Sequence, residues 1–316
     1  MTNGPTEREF PHRKETAVGA GETGGRLDES APRSPIRDYV DTILITILVA
    51  FFLKTFVVEA FRIPTGSMED TLLAGDFILV NKFIYGARTP KFIPFTDVML
   101  PQVTFPSLRK PERGDVIVFE FPGEPDEVQP RSVVNYVKRC VAVPGDTVEV
   151  VDKVVFVNGG RFPRPDGIRF ESLEVHPKGK ANDKIFPPHA GFNEDNYGPV
   201  VVPRRGDVVE VSASTIKEWR TFIRREGHAV ELRRGGDVLI DGRPSESYVV
   251  ERNYYFVMGD NRDNSLDSRY WGFLPEDKIQ GQASIVYWSW DQGIALASVV
   301  DKIESVRWER IGSLIQ

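Results

Sequence analysis

Hydrophobic and polar positions change texture twice along this chain. Residues 1–38 carry Gly, Pro, Ser, Glu and Arg with hardly any apolar clustering. Such a segment buries too little to offset the entropy of ordering, and it is expected to be a disordered tail. An apolar run follows, YVDTILITILVAFFLKTFVV from Tyr39 to Val58, with Asp41 and Lys54 near its ends. As a helix its 20 residues span about 30 Å, the thickness of a bilayer's hydrocarbon core. Charges near the ends cost well below the roughly 2.5–3.5 kcal/mol of a central one. The run predicts one membrane-spanning helix over 39–58. A buried core helix is the plainer alternative, and a cleaved leader fits worse because no small-residue cleavage site follows the run. Arg33 and Arg37 before it compete with Lys54 and Arg62 after it, so charge alone does not orient the span.

From about residue 75 the apolar period shortens to two. DFILVNKFIYG, GDVIVFEF, VVNYVKRCVAVPGDTVEVV, KVVFVNG, GDVVEVSA, DVLIDG, SYVVERNYYFVMGD and GQASIVYWSW are short runs rich in Val, Ile, Phe and Tyr, punctuated by Gly-Asp and Asn-Gly pairs. They predict strands joined by tight turns, hence a mainly β, antiparallel body. Helical patterns return only in TIKEWRTFIRRE (215–226) and near LASVVDKIESV. Residues 87–113 and 159–205 are Pro-rich and irregular and are read as surface insertions.

Composition narrows the chemistry. With 316 residues, 41% of them hydrophobic and 11% aromatic, the chain has ample material for a core of about two domains. A formal charge of −6 with scattered Lys and Arg gives no basic stripe, so no nucleic-acid partner is expected. The lone Cys140 excludes an intrachain disulfide. His12, His176, His189 and His228 are too far apart for a metal motif, so neither a metal nor a cofactor is expected. GAGETG at 19–24 matches a dinucleotide pattern but follows no strand. SLRK at 107–110 matches SxxK without its partner motifs, and no GxSxG elbow occurs.

Without a suitable histidine, a lysine must be considered as base. Lysine at its reference pKa of about 10.4 cannot accept a proton at neutral pH, but burial disfavours the ammonium and lowers that value. Lys138 lies amid Tyr136, Val137, Cys140, Val141 and Val143, and the strand period puts Tyr136, Lys138 and Cys140 on one face. Seen alone, it reads more readily as a solvated lysine on a strand's wet face.

Four boxes change that balance: IPTGSMEDTL (63–72), GDVIVF (114–119), YVKRCVAVPGD (136–146) and GDNRDNSLDSRYWGFLPE (259–276), in this order behind an apolar run. Together they resemble the bacterial type I signal peptidases over the whole chain beyond the tail. The resemblance implies a Ser-Lys serine protease with a mainly β catalytic domain, here 59–150 and 256–316, interrupted by an inserted second β domain, here 151–255. It implies Ser67 as nucleophile, Lys138 as general base, and an oxyanion hole from the Ser67 N–H and the Thr65 hydroxyl. It further implies Ser265 orienting the lysine amine and an Asp267–Arg269 ion pair behind it. Strands FRIP (61–64) and NYVK (135–138) would flank an extended signal peptide, with Phe61, Ile63, Pro64, Met68, Leu72, Tyr136 and Val137 as pocket candidates.

The implied substrates are secretory preproteins cut after small residues of the A-x-A type, at a lipid bilayer and near the protein translocation machinery. The tail would then be cytoplasmic and the β body outside the cell membrane. Better-known members carry a second span and a disulfide that this sequence lacks, differences that touch anchoring and stability and leave the chemistry alone. Two alternatives stay open here: a membrane-tethered peptide-binding β protein without catalysis, and a specialised processing peptidase of the same family. Self-cleaving DNA-binding repressors, which use a related dyad, are disfavoured by the apolar span.

Overall fold

The computed structural model describes residues 35–89, 98–101, 103–295 and 297–316. The expected tail up to residue 34 lies outside these. The chain divides into two compact units after Ile47. The first holds, among the described residues, only the part up to Ile47 of a helix that begins at Pro35 and continues to Phe52. Pro35 is preset for the first helical position and Asp38 sits in the first turn, where the helix dipole favours a carboxylate. Residues 35–38 are therefore helical, a correction to the expected tail boundary. The hydroxyls of Thr42 and Thr46 donate to the carbonyls of Asp38 and Thr42 at 2.7 and 2.8 Å, so neither hydroxyl needs an outside partner. The stretch Ile36–Val57 is long and apolar enough to cross a bilayer, and only 6% of its apolar window is buried.

The helical stretch reaches Val57, one residue short of the expected end. After a π-helical turn, Leu53–Val57, the chain is already extended at Val58. Two β-branched valines meet there, and tertiary pairing captures them: Lys82 N–H donates to Val57 O at 3.0 Å and Val58 pairs with Asn81.

The second unit is built on a seven-stranded antiparallel sheet. Its spatial order is Val58–Arg62, Asp76–Asn81, Ile279–Ser289, Val116–Glu120, Asn135–Ala142, Tyr254–Met258 and Leu274–Pro275. Alternation along Val116–Glu120 sends Val116 and Val118 to one cluster, with Ile63, Met68, Leu72, Ile78 and Val80. Ile117 and Phe119 go to another, with Cys140, Tyr255, Val257 and Trp271. The C-terminal segment closes over the sheet, with Ile315 N–H bonded to Ser284 O and Val286 N–H to Ser313 O.

Between the fifth and sixth of these strands the chain makes three smaller sheets. Thr147–Val151, Val154–Val157, Gly160–Arg161 and Tyr197–Val201 form one, whose Val148, Val150, Val155 and Val157 share a core with Val141, Phe256 and Met258 of the large sheet. Helix Ile216–Arg225 packs Ile216 and Ile223 on Val238, Ile240 and Tyr248. Three hairpins turn through pairs with positive φ at both positions: Asp152-Lys153, Asn158-Gly159 and Asp241-Gly242. Such turns match the strand twist.

Candidate active site

Ser67 opens a tight turn directly after the Val58–Arg62 strand. Glu69 N–H bonds to Gly66 O at 3.0 Å and Leu72 N–H to Met68 O at 2.6 Å, with Met68 and Leu72 anchored in the core. This strand and the one carrying Lys138 are first and fifth in the sheet order. At about 4.8 Å per strand a flat sheet would hold them about 19 Å apart. The sheet instead curls until Lys138 Nζ lies 2.6 Å from Ser67 Oγ. Asn261 N–H closes the seam by donating to Ser67 O at 3.1 Å.

Lys138 is 4% exposed. Its Nζ donates to Val137 O at 3.1 Å and stands 5.4 Å from the centre of the Tyr136 ring. Burial lowers its pKa from 10.5 to about 8, against the nearby charges of Asp267 and Asp260, which favour the ammonium. About a tenth of the amine is then unprotonated at pH 7, against less than a thousandth at the ordinary value. Cys140, next but one along the strand, is fully buried, and burial pushes its thiol pKa up; a protonated thiol is a poor nucleophile.

Behind the pair, Asp267 and Arg269 are buried and doubly bonded, Nε to Oδ1 at 2.9 Å and Nη2 to Oδ2 at 2.8 Å. Burial alone would raise the Asp267 carboxyl, but the Arg269 charge and hydrogen bonds hold it below its ordinary value. Asp267 also accepts from Gly259 N–H at 3.1 Å and caps the short helix Ser268–Trp271. Ser265 Oγ is buried without a hydrogen-bond partner among the described residues, so the expected bond to Lys138 is not formed here. Gly259 is required by space: a Cβ there would sit 2.2 Å from Ser265 Oγ and 2.5 Å from Ser67 O. Thr65 is exposed, and among the described residues neither its hydroxyl nor the Ser67 N–H makes a hydrogen bond.

Residues 36–288 match the family described as signal peptidase, peptidase S26. The chain belongs to this signal peptidase family. A signal peptidase I from Aquifex aeolicus is 32% identical over 259 residues, covering 80% of this chain and 85% of that protein. One from Pseudomonas aeruginosa is 30% identical over 304 residues, covering 89% and 84%. This family member is accordingly a peptidase, a hydrolase, with a curled antiparallel β fold.

Around the Ser-Lys pair of this S26 peptidase, the expected pocket residues divide by exposure. Phe61, Ile63, Met68, Leu72 and Val137 belong to one cluster. Ile63, Met68 and Leu72 are buried, whereas Phe61, Val137 and Tyr136 keep partial exposure and Pro64 is exposed. The Val58–Arg62 strand is an edge of the sheet. Asn135–Lys138 runs beyond its pairing with Tyr254–Met258, which covers Arg139, Cys140 and Ala142. Both segments thus retain main-chain groups for an added strand.

Sequence reasoning passed over three supports. Arg139 and Asp260 form a buried pair at 2.6 Å, and Asp260 also accepts from the Thr71 hydroxyl at 2.6 Å. Both residues lie inside the quoted boxes, and an arginine beside Lys138 in an apolar strand was the available signal. Asn261 left no such mark. Arg310 donates to Asp76 at 2.6 Å and to Thr71 O at 3.0 Å, locking the serine turn from a distant C-terminal position.

Proposed function

We propose that this chain is a membrane-anchored serine endopeptidase that removes signal peptides from secretory preproteins after small residues, with Ser67 as nucleophile and Lys138 as general base. The observation that carries this reading is the 2.6 Å contact between a serine hydroxyl and an almost fully buried lysine amine. The neutral amine accepts the Ser67 proton as Oγ attacks the scissile carbonyl, forming the tetrahedral oxyanion. It then delivers that proton to the leaving nitrogen as the C–N bond breaks, leaving an acyl-enzyme. A water deprotonated by the same amine hydrolyses the ester and restores the serine.

The uncommitted Ser67 N–H and Thr65 hydroxyl are the donors offered to the oxyanion. Thr65→Val should lower kcat by about 10²- to 10³-fold with KM little changed, since the donor acts on charge that develops only in the transition state. Steady-state kinetics on a short signal-peptide substrate reads this directly, and an unchanged kcat would remove Thr65 from the hole.

Anchoring follows from the apolar helix and the short connection after it. Ser67 stands nine residues past Val58, a maximal reach of about 30 Å, so the serine works close to the bilayer surface where signal peptides end. Trp308, 65% exposed and edge-on to Trp288, suits the headgroup layer. Cleavage outside the cell membrane, beside the translocation machinery, puts the N-terminus in the cytoplasm. Incubating the detergent-solubilised protein with a preprotein tests the proposal. Mass spectrometry should find a single cut after an A-x-A site, abolished when the residue before the cut is made bulky. Cleavage indifferent to that residue would contradict the proposed specificity.

A further inference from the structure

A cavity of about 290 Å³ opens between the hairpin Thr147–Val157, the 161–175 segment and Arg262. It lies at the small end of ligand-sized pockets. Val155, Phe162, Ile168 and Phe170 supply apolar walls. Arg262 supplies the one deeply buried cation in its lining: it is 4% exposed, and among the described residues its Nε has no hydrogen-bond partner and its Nη1 touches only Met258 Sδ at 3.7 Å. Burial, with Arg269 adding its charge, pushes its pKa down to about 10, so it stays a cation at neutral pH. The nearby charges of Asp260 and Asp267 offset this only in part, and a desolvated guanidinium with unfilled hydrogen-bond capacity is a costly arrangement unless an anion completes it.

The other charges lining this space decide which anion fits. Lys153 is already engaged by Asp263 at 2.9 Å and Asp195 at 3.4 Å, while Asp152 adds a further negative group. Arg161 and Arg164 are exposed at the mouth, and Arg164 and Lys153 flank the Phe170 ring at 5.6 and 5.3 Å. Four cations against three aspartates leave one net positive charge, which suits a monoanion, and the apolar walls disfavour a naked ion. We propose that this cavity binds a monocarboxylate carried on a short apolar body, its carboxylate drawn to the Arg262 cation and its carbon chain lying against Val155 and Phe170. The carboxylate has two sources with shared chemistry, a free short-chain acid or the C-terminus of an apolar peptide.

Titration calorimetry on the full-length protein in detergent, with hexanoate as probe, tests this without using peptide cleavage, so its outcome is independent of the proposed protease chemistry. Saturable hexanoate binding is expected, weakened at least tenfold in Arg262→Gln and largely kept in Arg262→Lys. Hexanol and inorganic phosphate should bind at least tenfold more weakly than hexanoate to the unaltered protein, a comparison that stands even if Arg262→Gln fails to fold. A free-acid apolar dipeptide binding better than hexanoate, and losing that binding when amidated, would assign the site to peptide C-termini. Absence of saturable hexanoate binding, equal binding of hexanol, or full retention in a folded Arg262→Gln protein overturns the proposal.

Discussion

Replacing Lys138 by alanine should lower preprotein cleavage by at least about 10⁴-fold, and Ser67→Ala should lower it as far. The two losses should not add: the double variant is expected to retain the same residual rate as either single one, because the proposed nucleophile and base would act as one unit. The reason lies in the geometry. Lys138 Nζ is 2.6 Å from Ser67 Oγ. Among the described residues no other side chain is hydrogen-bonded to the Ser67 hydroxyl: His228 is held by Asp241 at 2.7 Å and Glu251 at 3.0 Å, His176 lies beside Asp195 at 3.4 Å, and His189 is exposed in a loop. Single-turnover assays on a preprotein measure the effect. Lys138→Ala activity within tenfold of the unaltered protein would show that another group takes the proton.

Asp267→Ala should be the most damaging substitution for stability, by about 3–5 kcal/mol, because it strands the buried Arg269 charge. It also removes the acceptor for Gly259 N–H and the cap of the Ser268–Trp271 helix. The site suffers with the fold, since Gly259 packs against Ser67 O. Loss of the Asp267 charge, which raises the Lys138 pKa, should also move the pH–rate profile of any folded variant downward. Denaturant unfolding in detergent reads the first effect, and a loss below about 1 kcal/mol would show that the pair is dispensable.

Much of this architecture was legible in the sequence because local chemistry dictates it. The apolar run could be read as a span, and alternating Val, Ile and Phe marked the strands. Asn158-Gly159 and Asp241-Gly242 announced their hairpins. Asp152-Lys153 takes the same turn without glycine, under the demand of strand pairing on both sides, and so escaped notice. The helix end fell within one residue of its expected place, at Val58, where pairing with Asn81 overrides hydropathy. In the site, Lys138 and Asp267 sat in recognisable boxes, but the curl that joins the first strand to the fifth comes from long-range packing. So do the Arg310 clasp and the Arg139–Asp260 pair, whose partners lie more than a hundred residues apart. The missing Ser265–Lys138 bond is a matter of distance that residue identity does not encode.

On the proposed mechanism, burial is what turns Lys138 into a base. Its folded pKa lies below its unfolded one, so the folded state carries a penalty below about pH 8 that is relieved as pH rises toward 10.5. Direct titration of the Lys138 amine by nitrogen NMR in the full-length protein tests this most closely. The account predicts a midpoint near 8, matched by the rising limb of kcat/KM against pH. A midpoint at the ordinary 10.5, with activity already at its plateau at neutral pH, would contradict it.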